Sequence, residues 1–296
     1  MTGEHAGALV RDWERLGHRE VLAGHEVFVI DQPAAGTEDG PPLLVLHGFP
    51  TSSFDWRQVL PAISRHRRVL LLDFVGYGLS SKPDLRYTMA MQADVAQALV
   101  HSRGIERVSL VTNDMGDTVG GELLARSLEG DLPFEIHRRV ITNGSIYIEM
   151  AQLSDGQLLL LSLPDERLPA SFDPSGATFR AGLAAVFSTT HPARPDELDA
   201  QWALMHREGG DQLLPRLIRY IEERRANEAR FTGAIEQHPS PLTIVWGDQD
   251  PIAVYPMAER LAAARPDATL LRLEGVGHLP MIEVPDVVAN AIVAGT

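Results

Sequence analysis

Four side chains able to carry acid–base or nucleophilic chemistry stand at the ends of apolar runs. They are His47 in PPLLVLHGFP, Asp114 in SLVTNDMGDTVGGELL, Asp250 in PLTIVWGDQDP and His278 in ATLLRLEGVGHLP. A carboxylate exposed on a tight turn can attack a saturated carbon and form an alkyl ester, which water then hydrolyses. A histidine can take the proton of that water, and a second carboxylate can hold the imidazole in the required tautomer. Each residue alone has a plainer reading, because Asp and His are common in loops after strands. NDMGD can equally be an Asx turn that starts a helix. Their order gives the set its weight: a carboxylate at a strand–turn–helix tip, a helical stretch, an acid after a later strand, a histidine after the last. A hydrolytic metal site reads less well, since His47, Asp114 and His278 offer ligand types without a ligand spacing.

Such residues need a sheet to bring them together, and ligands of doubly wound sheets bind outside the carboxyl ends of the strands. EVLAGHEVFVID (20–31) reads as two short strands joined by a glycine turn. PPLLVLHGFP, RRVLLLDFVGYG (67–78), RVSLVTND and RRVITNGS (138–145) read as buried strands. Helices through TSSFDWRQVLPAIS, TMAMQADVAQALVHSRG and GDTVGGELLARSLEG separate them. The alternation predicts βαβ units and a parallel sheet. It breaks after Ser145, where the chain turns helical and loop-like, and resumes at Pro241. The expected organisation is therefore a core of residues 1–145 and 238–296 with a helical cap, 146–237, inserted between the sixth and seventh strands.

Bulk properties narrow the function classes. The 296 residues are 44% hydrophobic and 22% charged, and their net charge of −14 argues against nucleic acid, which needs a basic face. No apolar run is long enough to span a membrane. The opening MTGEHAGALVRDWERLG lacks the apolar stretch of a secretion signal, so a cytoplasmic protein is expected. With no cysteine there is neither a disulfide nor a thiol nucleophile. A monomer or homodimer without cofactor or metal, acting on a small apolar substrate and water, is the expectation.

The order nucleophile, acid, histidine resembles the α/β-hydrolase fold, whose triad runs in that sequence. Thr112-Asn113-Asp114-Met115-Gly116 looks like its small-x-nucleophile-x-small elbow, with Asp where Ser is usual. HGFP, LDFVGYGLSSKP, GDQDP and GHLPMIEVP fit the same pattern, so the resemblance spans nearly the whole chain from about Trp13. It implies a mostly parallel doubly wound sheet with an inserted helical cap. It also implies the covalent strategy of epoxide hydrolases and haloalkane dehalogenases. Asp114 is then the nucleophile, His278 the base and Asp250 its partner. Asp248 competes for that last role but does not directly precede the Pro-containing turn. Backbone N–H groups of Phe49 and Met115 are the implied oxyanion hole, and His47 is read as ordering the oxyanion loop.

The leaving group divides the two subfamilies. Dehalogenases resembling this fold place Trp after the nucleophile, where this chain has Met115, which has no donor. Trp56 and Trp202 remain as indole donors, with Trp56 expected at the substrate. Epoxide hydrolases protonate the departing oxygen from cap tyrosines, one of them about thirty residues before the acid, and Tyr220 stands there. Where the second is usual this chain reads LLLLSLP, which leaves Tyr147 as the nearest substitute. Several segments, among them NDMGDTVGGELL with Asp117 and RYIEERRANEARFTGAIE, look like the mesoderm-specific-transcript branch of the superfamily. The helix dipole suffices to explain Asp117. Epoxide hydrolysis to a vicinal diol is the preferred expectation, haloalkane dehalogenation the alternative, and a non-catalytic hydrolase-fold ligand receptor the second alternative. A serine esterase or lactonase is not expected, because G-x-S-x-G is absent and Asp114 fills the elbow.

Overall fold

The computed structural model describes residues 2–36 and 38–296. Its strands are β1 His18–Leu22, β2 His25–Gln32, β3 Leu43–Leu46, β4 Val69–Leu72, β5 Arg107–Asn113, β6 Glu135–Thr142, β7 Leu242–Gly247 and β8 Thr269–Leu273. They form one eight-stranded sheet in the order β1-β2-β4-β3-β5-β6-β7-β8. β1 pairs antiparallel with β2, and β2 with β4, while every pairing from β4 to β8 is parallel. The first hairpin turns at Ala23 and Gly24, both left-handed, as a tight turn between twisted strands requires.

Between and after the strands lie α1 Thr2–Glu14, α2 Leu60–Ile63, α3 Met89–Ser102, α4 Met115–Glu129, α5 Asp155–Ser162, α6 Ala177–Ala184 and α7 Pro195–His206. The chain continues through α8 Leu214–Leu217, α9 Tyr220–Ala226, α10 Glu228–Gln237, α11 Pro256–Ala264, α12 Pro280–Glu283 and α13 Pro285–Gly295. The period-two rule of a strand sorts the interior into two cores, one on each face of the sheet. Leu44, Leu46, Leu70 and Leu72 pack with side chains of α3, α4, α10 and α11. Their neighbours Leu43, Val45, Val69 and Leu71 pack with those of α1, α2 and α13. All eight of these strand residues are fully buried, which is why both strands read as unbroken apolar runs. Among the described residues, no helix is long and apolar enough to cross a membrane.

Several local readings differ. β6 begins at Glu135, three residues ahead of RRVITNGS, because β5 pairs with it from Arg107 onward. TSSFDWRQ winds as a tight three-residue-per-turn helix, Ser53–Gln58, before the single turn of α2. The N-terminal segment, to which the sequence reading assigned no element, is the helix α1, and it packs against α7. Among the described residues, 143–241 contain no strand. The last helix of that stretch, α10, lies against α4, beside the sheet.

Candidate active site

Asp114 occupies the step from β5 to α4 with φ +49° and ψ −113°. A left-handed backbone is costly for any residue but glycine and persists only where the surroundings hold it. The turn also needs bare backbone: a Cβ on Gly116 would sit 2.7 Å from the carbonyl oxygens of Leu46 and His47. One on Gly48 would sit 2.7 Å from the Asp114 Cβ. The small residues of the elbow thus let β3 and β5 converge on one carboxylate. That carboxylate is 3% exposed and makes no cap bond to its own helix. Instead its Oδ2 accepts the Phe49 N–H at 2.9 Å. Met115 is the first residue of α4, and an N–H there has no partner within the helix.

The loop that carries Phe49 is braced by His47. Its Nε2 accepts the Phe74 N–H at 2.9 Å, so its Nδ1 carries the proton and donates to Gly48 O at 2.8 Å. Burial pushes this imidazole below its ordinary range, consistent with a neutral ring.

Strands β7 and β8 deliver the second pair. His278 Nδ1 lies 2.7 Å from Asp250 Oδ2. The other oxygen of Asp250 accepts the N–H groups of Ile252 at 2.8 Å and Ala253 at 2.9 Å. Burial works against a charged imidazole here. The charge of Asp250 and its hydrogen bond outweigh that effect, helped by the charge of Asp114, and lift His278 to about 9. Asp248 is engaged elsewhere, with Arg272 at 2.7 Å and the Gly275 N–H at 2.8 Å.

Asp114, Phe49 and His278 line one cavity of about 1000 Å³ of unfilled space, counting its solvent-open mouth. Its other walls are largely apolar and come from the inserted segment, with Leu160, Phe179, Leu183, Trp202 and Leu214 among them. Tyr220, at the start of α9, is 2% exposed and is not among the residues that line this cavity; it borders a neighbouring pocket with Gln157 and Arg224, and its ring centre is 5.5 Å from that of Phe49. Burial and the nearby Asp114 charge push its hydroxyl up, while the side chain of Gln157 lies beside it. The phenol therefore keeps its proton. Met115 turns its sulfur toward Tyr77, whose hydroxyl donates to it at 3.3 Å.

Two sequence expectations meet a different placement. Tyr147 does not line the cavity: its hydroxyl donates to Glu236 at 2.7 Å, and Arg260 lies 3.8 Å from its ring centre. Trp56 is fully buried in the core shared with α1, α2 and α13 and is not among the residues that line the cavity. Chain distance suggested Tyr147 and an indole N–H suggested Trp56, and packing against other elements takes both from the cavity wall. Asp117 is buried beneath the elbow with neither oxygen hydrogen-bonded, and burial pushes its carboxyl well above the usual range.

Two residues at the site escaped the sequence reading. Asn143, after β6 and with φ +43°, donates to Asp250 Oδ2 at 2.7 Å and accepts the Gly247 N–H at 3.0 Å. It fixes the acid between two strand ends. An Asn-Gly pair following an apolar run was its only signal. Arg224, buried on α9, donates to Thr118 Oγ1 at 2.7 Å and Ser145 O at 2.9 Å. It also reaches the carbonyl oxygen of Asp114 at 3.3 Å. Nothing in the repetitive RYIEERR marks it out from the arginine beside it.

Comparison with known proteins agrees with this architecture. The model of the alpha/beta hydrolase family matches residues 43–291. The chain is 38% identical over 283 residues to the putative hydrolase LipZ of Mycobacterium tuberculosis, with 95% of this chain and 96% of that one covered. It is 31% identical over 299 residues to the mesoderm-specific transcript protein of Mus musculus, covering 95% of this chain and 86% of that one. The crystal structure of haloalkane dehalogenase DbeA from Bradyrhizobium elkani superposes with a TM-score of 0.75. That match covers 94% of this chain and 96% of the other at 22% identity, a likeness of fold. With the strand order, the elbow and a match over most of its length in agreement, the chain belongs to the alpha/beta hydrolase family.

Proposed function

We propose that this hydrolase opens epoxides of small apolar molecules to vicinal diols through an ester on Asp114. The observation that carries the reading is one cavity bearing a carboxylate at an elbow, an N–H donor on that carboxylate and a His–Asp pair. An Asp114 oxygen attacks an epoxide carbon, the carbon–oxygen bond breaks, and the alkoxide takes a proton from Tyr220. Having released to solvent the proton it holds in the free protein, His278 then removes a proton from water, whose oxygen adds to the ester carbonyl. The oxyanion so formed is met by the N–H groups of Phe49 and Met115. Collapse frees the diol and regenerates the carboxylate, the proton His278 took from water passes to the tyrosine, and the imidazole regains its own proton from solvent. Water and epoxide are consumed one for one, and nothing else is needed.

Ester formation also prepares the base. The charge of Asp114 helps hold His278 protonated, and that charge vanishes when the carboxylate is alkylated. Haloalkane dehalogenation is the second reading, favoured by Trp202, an indole that lines the cavity. In that case the halide leaves with the bonding pair, and Tyr220 has no proton to give.

Substitution separates the two. Asp114→Asn should abolish turnover while the far-ultraviolet circular dichroism stays that of the parent. Tyr220→Phe should slow epoxide opening by about 10²-fold or more, the scale of one positioned proton donor, and leave haloalkane turnover nearly unchanged. Full activity in Asp114→Asn would overturn the mechanism, and equal losses on both substrates would remove Tyr220 from the donor role.

A further inference from the structure

The cavity has a second polar feature, away from the residues that end the strands. Asp211 lines it, is 1% exposed, and leaves its Oδ2 buried without a hydrogen-bond partner. Its other oxygen is held by His206 Nδ1 at 3.0 Å. The Ser171 hydroxyl, also on the cavity wall, is likewise buried and unpartnered. A backbone bond from the Leu168 N–H to Gln212 O, 2.9 Å, runs this segment alongside Asp211. Buried polar atoms are nearly always paired, and each exception calls for a reason. A carboxylate oxygen is the costlier case, because a charge without a partner is disfavoured more than a hydroxyl.

Aromatic walls accompany it. Phe172, Phe179 and Trp202 line the same cavity, with Trp202 5.5 Å from Phe179 and stacked 4.9 Å from His206. Aromatic faces attract an organic cation, and a carboxylate accepts its hydrogen bonds. The net charge of −14 favours the approach of a cation over that of an anion.

We propose that the cap side of this cavity is a recognition subsite for a primary ammonium group, with Asp211 Oδ2 as acceptor and Trp202 and Phe179 as aromatic walls. The substrate is then an electrophile on an apolar chain that ends in an amine. This rests on the covalent hydrolase reading only for the group that occupies the Asp114 end. The apolar middle of the cavity accepts the chain, and the buried acid selects what ends it.

Unreactive product analogues test the subsite without any chemistry at Asp114. Calorimetry would compare three vicinal diols of equal chain length, ending in an ammonium, a hydroxyl or a methyl group. The wild-type protein should bind the ammonium diol at least about tenfold tighter than the methyl diol, the scale of one hydrogen bond to a charged group. Asp211→Leu should lose that preference. Asp211→Asn, closer in shape, serves if the leucine variant does not fold, and should reduce the preference in the same direction. Equal affinity for all three diols overturns the proposal, as does a preference that survives both substitutions. A hydroxyl diol bound as tightly as the ammonium diol overturns the cationic assignment. Failure of the covalent reading looks different: the ammonium preference persists while no substrate ever labels Asp114.

Discussion

At the scale of the residue, the proposed reaction turns on the protonation of His278. Its imidazole sits at about 9 in the free protein, against an ordinary 6.5, so at neutral pH it is charged before Asp114 is esterified. Once the Asp114 charge is gone, part of what holds that proton goes with it. The rate of ester hydrolysis should therefore climb with pH and level off below about 9, as followed by rapid quench after a single alkylation. A hydrolysis rate that falls with rising pH would contradict the assignment of the base. Stability follows the same group. The folded state holds the His278 proton more tightly than the unfolded chain does, so this contribution is complete below the ordinary value. It is lost as pH rises through about 9. Asp114, Asp250 and His278 were legible as candidates because each closes an apolar run. Asn143 and Asp211 were not, since what marks them is contact with residues far away in sequence.

At the scale of the element, α9 joins the inserted segment to the elbow. Tyr220 places a ring against Phe49, Glu223 accepts the Met89 N–H that starts α3, and Arg224 ties α4, the loop after β6 and the Asp114 carbonyl together. Replacing Arg224 by Met leaves those acceptors buried without a donor. The expected loss is about 2–4 kcal/mol, read from the midpoint of denaturant unfolding, and it should be accompanied by slower alkylation of Asp114. An unchanged midpoint would show that α9 does not hold the elbow. The strands were readable as elements because parallel interior strands are apolar on both faces. The tight helix at 53–58 and the start of β6 were not, because hydrogen-bond pattern and partner register decide them.

At the scale of the whole molecule, a sheet with helices on both faces carries its reactive groups on loops at one end, and an inserted helical segment roofs them. Chain order pointed toward such an arrangement, since Asp114, a strand-free stretch, Asp250 and His278 follow one another along the sequence. What order could not reveal is which side chains of the insertion face inward. Tyr220 lies at Phe49, while Tyr147 is turned away onto Glu236. Two other regions likewise depend on long-range packing: α1 lies on α7, and α10 lies on α4.

The central claim, a covalent ester on Asp114, is tested most directly by mass. His278→Ala removes the base and leaves the nucleophile, so an ester once formed should persist. The variant would be mixed with panels of epoxides and haloalkanes, and intact-protein mass recorded before and after proteolytic mapping. The account predicts a gain equal to the whole epoxide, located on Asp114. A gain equal to a haloalkane less hydrogen halide, with none from epoxides, would keep the ester and transfer the protein to the second reading. No adduct from either panel would contradict the account and leave the cavity as that of a ligand receptor.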